Sequence, residues 1–388
     1  MKILMYTPAT SGGHAEYTAE LLRGLAADPA LDLHLVTRED AGPAYAIPGC
    51  SVLPKLPRLR RRHDFPSGAH WAGSRLSYHL REARRLEEVI WSAPWDVVHF
   101  QEVSPVFHRR LLARPRGNRR FVYTVHNVKP HGRIGLGLDG AYARLMAGAW
   151  AEFDTLVFHS EGLRASTARL LPRRRARLEV IPHGIWSVPP AGIRAGDERQ
   201  PVRLLFLGVI RPNKGLHVLL DVLPRHPQVE LTIAGAVTDP AYFEREIEPR
   251  LSRLQQAGAR VTTEFRFLEK EQMIERLQAS DYLVLPYTGF ESQSGMLMYA
   301  AACGVPVIAS DSGALGETVR THGLGHVYSP ADPHGLDGAI RRASRADALA
   351  LRPGVEAYAA AHAWPRVAGH HAQLYSALAQ AVGAEEAA

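Results

Sequence analysis

The feature that most constrains this chain is a series of short, continuous apolar runs, each about as long as one β-strand. Helical patterns separate many of these runs. Strands of a parallel sheet that has helices on both faces are buried on both sides, so they read as unbroken apolar stretches. The first half of the chain therefore predicts a doubly wound α/β domain. Its predicted strands are Lys2–Tyr6, Leu31–Val36, Asp96–Phe100, Phe121–Val125, Thr155–Phe158 and Leu178–Ile181.

A second series of apolar runs follows a polar, proline-containing stretch that has no hydrophobic periodicity and is typical of a linker. Its predicted strands are Val202–Leu207, Val229–Ala234, Asp281–Leu285 and Val305–Ala309. A chain of 388 residues also exceeds what one core usually serves. We predict a first domain over residues 1–187, a linker over 188–201, a second domain over 202–364, and a C-terminal helix over 365–388 that packs back on the first domain.

Composition excludes several classes of protein. Hydrophobic residues make up 46% and charged residues 22%, which is too apolar for a disordered chain. The longest apolar runs are far shorter than the roughly 20 residues of a membrane-spanning helix. The N-terminus turns polar by Thr7, so no signal peptide is indicated. Two cysteines are too few for a disulfide scaffold or a multi-cysteine zinc site. These features predict a cytoplasmic protein.

The formal charge of +7 suits an anionic partner. Three interpretations are open: a solvated basic face, contact with an acidic membrane surface or a phosphorylated acceptor, and nucleic-acid binding. No aromatic-basic module that reads bases is recognisable, which disfavours nucleic acid. The arginines cluster at Arg58, Arg60, Arg61, Arg62, Arg173, Arg174, Arg175 and Arg177.

Ligands of open α/β sheets bind at the carboxyl ends of strands, so the residues that follow each strand are the candidates for function. The first strand leads to Gly12 and Gly13 and then to a helix. Paired glycines let backbone N–H groups approach an anion, and the helix N-terminus favours one. A glycine pair is as often purely structural. His126 ends another strand and is expected to face the second domain, although a single histidine there is usually structural.

The second domain supplies two further strand ends. Arg211 and Lys214 follow its first strand, and a guanidinium and an ammonium three residues apart form a clamp for a diphosphate. An exposed basic turn is the alternative. Glu291 lies just before a helix and can accept sugar hydroxyls, or it only complements the helix dipole. The free N–H groups at the start of that helix, which suit a phosphate, belong to Ser294, Gly295, Met296 and Leu297.

Together with these residues, three segments resemble glycosyltransferase family 4: Asp96–His99, Val180–Gly184, and Gly304–Ser310 followed by Gly313 and Glu317. The resemblance covers nearly the whole chain and is close to the branch that carries a Ser-Gln-Ser-Gly segment. It implies the GT-B fold, an α/β architecture of two Rossmann-like doubly wound parallel-sheet domains that face each other across a cleft. It also implies a retaining transferase that moves a hexose from a UDP or GDP sugar to a glycan, glycolipid or small-molecule acceptor.

The resemblance assigns roles to individual residues. His126 matches the histidine near the sugar and the reacting bond, and Glu291 matches the first acid of the family's Glu-x7-Glu motif, which holds sugar hydroxyls. Both are therefore the implied catalytic residues. Lys214 matches the phosphate-binding lysine, with Arg211 as its partner. Enzymes of this family usually need no metal, so a nucleotide-sugar donor substrate is expected without a metal or other cofactor.

Other assignments concern the acceptor and the nucleoside. Gly12 and Gly13 match the loop that meets the donor phosphates, and the residues expected on the acceptor side are His14, Asn127 and His131. The segment 58–88, which joins arginines to aromatic residues, is expected to meet a membrane-linked or anionic glycan acceptor. The protein would then touch the inner face of the membrane peripherally.

Two positions depart from the family pattern. The second acid of the motif, which binds ribose in relatives, is Tyr299 here, and the arginine usually next to the strand-end glycine is Val209. Arg211 then has to act from another position. The residues expected at the ribose or base are Tyr299, Phe267 and Leu268.

Three other functions remain open from the sequence. A Gly-x-Gly-x-x-Gly pattern at Gly135, Gly137 and Gly140 suggests a dinucleotide-binding dehydrogenase. The dinucleotide-binding fingerprint requires this glycine turn directly after a strand, but residues 128–134 separate the pattern from the preceding strand. Tyr299 keeps open a noncatalytic partner that binds nucleotide sugars. A sugar-nucleotide epimerase of similar architecture is the third alternative.

Overall fold

The computed structural model of the chain forms two compact units. Unit 1 comprises Met1–Gly184 and Trp364–Ala388, and unit 2 comprises Ile185–Ala363. The structure describes residues 1–60, 64–126, 139–171, 176–188, 200–290 and 292–387.

Unit 1 is built on a seven-stranded sheet in which every neighbouring pair of strands is parallel. The sheet order is β3-β2-β1-β4-β5-β6-β7. Side chains of its central strands, such as Leu4 and Val98, are fully buried because helices cover both faces. Its strands are β1 (Lys2–Tyr6), β2 (Asp32–Arg38), β3 (Cys50–Leu56), β4 (Val97–Phe100), β5 (Arg120–Thr124), β6 (Thr155–Phe158) and β7 (Arg177–Val180).

The helices of unit 1 include the last helix of the chain, which packs on the first. A Cβ added to Gly24 would lie 2.6 Å from Cβ of Ala368, so the two helices approach closely at this glycine. The Trp364 ring likewise fills the space beside Gly184. These helices are α1 (Gly13–Leu25), α2 (Gly68–Trp91), α3 (Arg109–Leu112), α4 (Asp139–Trp150), α5 (Glu161–Ala168) and α14 (Trp364–Ala387).

Unit 2 is built on a six-stranded parallel sheet in the order β10-β9-β8-β11-β12-β13. Its core joins the central strands to the helices through residues such as Phe206, Ile233 and Ile308. Its strands are β8 (Val202–Leu207), β9 (Val229–Ala234), β10 (Arg260–Glu264), β11 (Tyr282–Leu285), β12 (Val307–Ser310) and β13 (Gly325–Tyr328). Its helices are α6 (Leu216–Val222), α7 (Pro240–Tyr242), α8 (Glu248–Gln256), α9 (Lys270–Gln278), α10 (Gly295–Ala302), α11 (Gly313–His322), α12 (Gly335–Arg342) and α13 (Arg345–Ala361).

The strand order reverses at one point in each unit, the topological switch point. There the strands stop being added toward one edge of the sheet and begin to be added toward the other edge. In unit 1 the chain runs outward from β1 to β3 and then returns to place β4 on the other side of β1. In unit 2 the same change occurs between β8 and β11. Open α/β sheets bind ligands in the crevice that the loops form there, at the carboxyl ends of the strands. The loops after β1, β4, β8 and β11 are therefore the places to look for a site.

The two doubly wound parallel sheets predicted from the sequence are confirmed. Three strands that the sequence analysis did not predict are β3, β10 and β13, and all three lie at the edge of a sheet. An edge strand is paired on one side only and stays partly exposed, as the residues of β10 do. Its sequence therefore lacks the continuous apolar character by which the central strands were found.

Some sequence predictions fall outside the described residues. These are most of the linker 188–201, the loop that contains Gly135 and Gly137, and the arginines Arg61, Arg62, Arg173, Arg174 and Arg175. No helix in the described part of the chain is long and apolar enough to span a bilayer.

Candidate active site

The switch point of unit 2 is formed by two loops that bond to each other. After β8 the chain makes a short 3-10 turn, Pro212–Lys214, and the N–H of Thr288, in the loop after β11, donates to the carbonyl of Asn213 at 3.0 Å. Gly215 ends the turn with φ of 67°. A Cβ at this position would lie 1.8 Å from the carbonyl oxygen of Pro286, so only glycine lets the loops meet.

We expect Gly215→Ala to destabilise unit 2 and to disturb this site. The backbone angle alone costs an L-residue about 1–2 kcal/mol, and the clash with Pro286 requires a further backbone shift. Gly258→Ala is the matched control, because Gly258 has φ of 72° and a Cβ there meets no described atom within 4 Å. Urea denaturation of both variants tests the prediction. Equal losses of unfolding free energy would show that the contact with Pro286 does not constrain the loops.

Lys214 and Arg211 come together in this turn. The Lys214 ammonium lies 3.8 Å from the centre of the Tyr287 ring and 5.3 Å from that of Phe290, so aromatic faces hold it. The Nε–H of Arg211 is buried and has no acceptor within the described residues. A buried donor without a partner costs about 1–3 kcal/mol. A bound phosphate oxygen would satisfy it, so the turn is suited to an anion.

The N-terminus of α10 lies directly after the β11 loop. Two of its four candidate N–H groups are already used, since Ser294 donates to the Gln293 side chain at 3.1 Å and Leu297 donates to the Ser294 carbonyl at 3.1 Å. Those of Gly295 and Met296 have no acceptor within the described part of the chain. Two free N–H groups at a helix N-terminus favour an anion.

The residues expected at the ribose or base differ in their exposure. Tyr299 is 2% exposed and stacks on the indole of Trp186, with ring centres 5.4 Å apart. That indole also donates to the carbonyl of Gly295 at 3.1 Å, which fixes it against α10. Phe267 and Leu268 follow the edge strand β10, and Phe267 is 71% exposed whereas Leu268 is buried.

Three candidate residues lie outside the described part of the chain. They are Glu291, Asn127 and His131.

In unit 1 the loop after β1 places Gly12, Gly13 and His14 at the start of α1. Gly12 adopts φ of 76°, and a Cβ on Gly12 or Gly13 would meet no described atom within 4 Å. Packing against the described residues therefore does not explain Gly13. His14 stacks on His126 with ring centres 4.5 Å apart, and its Nδ1 lies 3.3 Å from a carboxylate oxygen of Glu102.

His126 is 9% exposed and belongs to a chain of buried polar groups. Its Nδ1 lies 3.4 Å from Nε2 of His159, whose own Nδ1 lies 3.1 Å from the carbonyl of Ile181. A carbonyl only accepts, so His159 carries its proton on Nδ1 and offers Nε2 as an acceptor. His126 therefore donates through Nδ1. Its Nε2, which lies 2.9 Å from Oε1 of Gln101, is left as an acceptor.

All of these hydrogen bonds can form with neutral histidine rings when the Gln101 amide turns its NH2 group toward His126. The opposite orientation would require a proton on both nitrogens of one buried ring, and amide oxygen and nitrogen are assigned from the hydrogen-bond network in any case. Gln101 also lies 3.4 Å from Nε2 of His99, whose Nδ1 accepts from the Tyr375 hydroxyl at 2.5 Å. A continuous series of hydrogen-bonded groups, called the relay below, thus runs from α14 to the residue after β7. Its members are Tyr375, His99, Gln101, His126, His159 and the carbonyl of Ile181.

Burial keeps these rings neutral. It holds the pKa of His126 well below its usual value, with a smaller lowering from neighbouring histidines, His14 first. Burial likewise lowers the pKa of His159 to about 4 and that of His99 to about 3. His126 therefore acts as a fixed neutral group, because moving a proton onto it is unfavourable at neutral pH.

The sequence analysis missed Gln101 and His159. Both directly follow a strand, β4 and β6 respectively, so the rule applied to the other strand ends would have found them. Within the described residues, no group of three or more histidine, cysteine or acidic side chains is arranged to hold a metal ion.

Solved structures with the same architecture define the class of the fold. Sucrose-phosphate synthase from Thermosynechococcus elongatus matches with a TM-score of 0.73 over 98% of this chain and 99% of that one, at 21% identity. Anabaena HepE in complex with UDP and glucose matches with a TM-score of 0.68 over 97% of this chain and 100% of that one, at 15% identity. The fold is thus GT-B, as the sequence resemblance implied.

Two family models match adjacent parts of the chain: Glycosyltransferase Family 4 over residues 11–185, and Glycosyl transferases group 1 over residues 201–345. The chain belongs to glycosyltransferase family 4, and it is a nucleotide-sugar-dependent glycosyltransferase. Glycogen synthase of Mycobacterium tuberculosis is 27% identical over 97% of this chain and 95% of that protein. GDP-mannose:glycolipid 4-beta-D-mannosyltransferase of Xanthomonas campestris is 27% identical over 66% of this chain and 67% of that protein.

Proposed function

We propose that this enzyme transfers a hexose from UDP-hexose or GDP-hexose to a hydroxyl group of a glycan, glycolipid or small-molecule acceptor, with retention of the anomeric configuration. The observation that carries the proposal is the switch point of unit 2. There Arg211, Lys214 and the free N–H groups of Gly295 and Met296 supply positive charge and hydrogen-bond donors from adjacent loops. Departure of a nucleoside diphosphate develops negative charge, which such preorganised groups stabilise.

In the proposed reaction the acceptor hydroxyl oxygen forms a bond to the anomeric carbon on the face that the diphosphate leaves. The bond from that carbon to the β-phosphate oxygen breaks, and its electron pair goes to the diphosphate. The hydroxyl proton goes to a phosphate oxygen of the same leaving group. His126 is not needed as a base here, because the relay through Gln101 and His159 already uses both of its ring nitrogens.

The remaining roles follow the family resemblance. Glu291 holds sugar hydroxyls, and His126 lies near the sugar as a fixed neutral group. Gly12 and Gly13 contribute backbone N–H groups to the donor phosphates. Tyr299, Phe267 and Leu268 serve the ribose or base, and His14, Asn127 and His131 lie on the acceptor side. Of these, Tyr299 has the least support, since its ring is buried against Trp186.

Both nucleotides are retained in the proposal because the related proteins differ. The HepE structure contains UDP and glucose, whereas the Xanthomonas campestris relative is named for GDP-mannose. We place the reaction in the cytoplasm, with peripheral contact at an acidic membrane surface. Support for the contact is a cavity of about 450 Å³ in unit 1 whose lining includes Lys55, Arg58, Arg60, Arg81 and Arg85. Sedimentation with acidic liposomes at low salt tests it.

A donor screen tests the proposed function. UDP-, GDP-, ADP- and dTDP-hexoses are added to the purified protein, and thermal stabilisation and nucleotide release are measured. We expect one UDP- or GDP-hexose to raise the unfolding temperature and to be hydrolysed slowly. Glu291→Gln should lose hydrolysis, while Glu271→Gln, on α9, should retain it. Absence of any shift at millimolar concentrations would contradict the proposal, and an anomeric analysis of the product tests retention.

The same assay tests metal independence. The cations of Arg211 and Lys214 supply the charge stabilisation that a bound metal provides in other transferases. Activity is therefore expected to persist in EDTA. Complete loss that magnesium or manganese restores would refute this part of the proposal.

A further inference from the structure

A cavity of about 570 Å³ lies at the switch point of unit 1. The loop Pro8–Ser11 after β1 and the loop Glu102–His108 after β4 form two of its sides. Volumes of 300–1,000 Å³ are usual for small-molecule sites. The cavity is thus large enough for a sugar and lies where open α/β sheets bind ligands.

One face of α2 forms a third side of the cavity. Arg75, Tyr78, His79 and Glu82 line it, and their spacing of three, four and seven residues is that of one helical face. His79 stacks on Phe107 of the β4 loop, with ring centres 4.9 Å apart and an interplanar angle of 14°. The pair gives the cavity a flat wall of the kind on which a sugar ring packs.

Glu82 supplies a buried carboxylate to the cavity. It is 2% exposed and accepts from the Tyr6 hydroxyl and from Nε2 of His108 at 3.1 Å. The N–H of Ser104 donates to Nδ1 of His108 at 3.2 Å, so the ring proton lies on Nε2 and the ring is a neutral donor. A carboxylate accepts about four hydrogen bonds, so Glu82 has acceptor capacity left for hydroxyl groups of a ligand.

Arg75 supplies a cation that no described residue holds in an ion pair. It is half-buried. Arg38, the other arginine of the cavity, is already bound through two nitrogens to the Asp40 carboxylate. The second cavity of unit 1, which Pro57, Arg58 and Arg60 help to line, carries more basic than acidic side chains and adds to the positive potential of this unit. Arg75 is therefore the group that can receive an anion within the cavity.

We propose that this cavity binds the acceptor, and that the acceptor is a small polyhydroxylated molecule with one anionic group. Arg75 binds the anion, Glu82 accepts hydroxyl groups, and the wall of His79 and Phe107 packs against the ring. The proposal rests on the proposed function, because it names the acceptor of that transfer. The bonds that form and break in the transfer are those given above.

The test compares three probes that share one sugar ring: glucose, glucose 6-phosphate and glucuronate. Their equilibrium binding to the full chain is measured by calorimetry without donor. We expect at least one of the two anionic probes to bind at least ten-fold more tightly than glucose. A preference for phosphate or for carboxylate then identifies the anionic group. Equal affinity for all three probes would overturn the proposal.

Variants of Arg75 test the assigned residue. Arg75→Met should remove the preference for the anionic probe, and Arg75→Lys should restore part of it. Arg84→Met, which changes an arginine of α2 whose side chain is 81% exposed, should keep the full preference. A preference that survives Arg75→Met would refute the role of Arg75. Because these measurements use no donor, they can fail while the donor screen succeeds, and the reverse also holds.

Discussion

Replacement of Lys214 by alanine is expected to lower kcat/KM for the nucleotide sugar by about 100- to 1,000-fold, the usual cost of removing one group that stabilises developing charge. The ammonium lies against Tyr287 and Phe290, so it is partly shielded from water. Shielding strengthens its attraction to a phosphate. Once it is removed, the donors that remain among the described residues of this switch point include Arg211 and the free N–H groups of α10.

Two controls make the Lys214 experiment specific. Lys270→Ala removes a lysine from the start of α9 in the same unit and should leave kcat/KM within about two-fold of the wild type. Lys214→Arg keeps the charge but places a larger planar group against the aromatic rings, and we expect only partial recovery. If Lys214→Ala retained more than a tenth of the activity, the diphosphate would have to be held elsewhere.

The central strands could be predicted because burial on both faces leaves a clear mark in the sequence. Tyr282–Leu285, for example, is entirely buried and reads as an unbroken apolar run. Two of the edge strands carry no such mark: β3 contains Pro54 and Lys55, and β10 is Arg-Val-Thr-Thr-Glu. Pairing with an already formed neighbour places these segments in the sheet, and local sequence does not encode that pairing.

The switch points explain which parts of the site could be predicted. Arg211 and Lys214 directly follow a strand, so the sequence alone indicated them. Glu82 could not be found in this way, since it lies in the middle of α2 and reaches its partners Tyr6 and His108 only through the tertiary fold. The relay of His126 depends in the same way on β4, β6 and α14, which are far apart in the sequence.

Acidification from pH 7.5 to pH 5 is expected to unfold or strongly destabilise unit 1. Five buried histidines have pKa values lowered mainly by burial: His99, His126, His159, His183 and His371. Below pH 6.5 the unfolded chain binds protons at these sites and the native chain does not, so stability falls as the pH falls. Above pH 6.5 both states are neutral and the stabilisation is complete.

The size of the effect follows from the slope of about 1.4 kcal/mol per pH unit for each such group. Lowering the pH to 5 costs about 2 kcal/mol per histidine, and the total of about 10 kcal/mol for five of them lies within the 5–15 kcal/mol that stabilise a typical domain. Tryptophan fluorescence during urea denaturation at pH 7.5 and pH 5 measures the loss. His159→Asn keeps a donor near the Ile181 carbonyl and should flatten the pH dependence, whereas His334→Asn, at an exposed site, should not. A wild-type protein equally stable at both pH values would show that the relay accepts protons without unfolding.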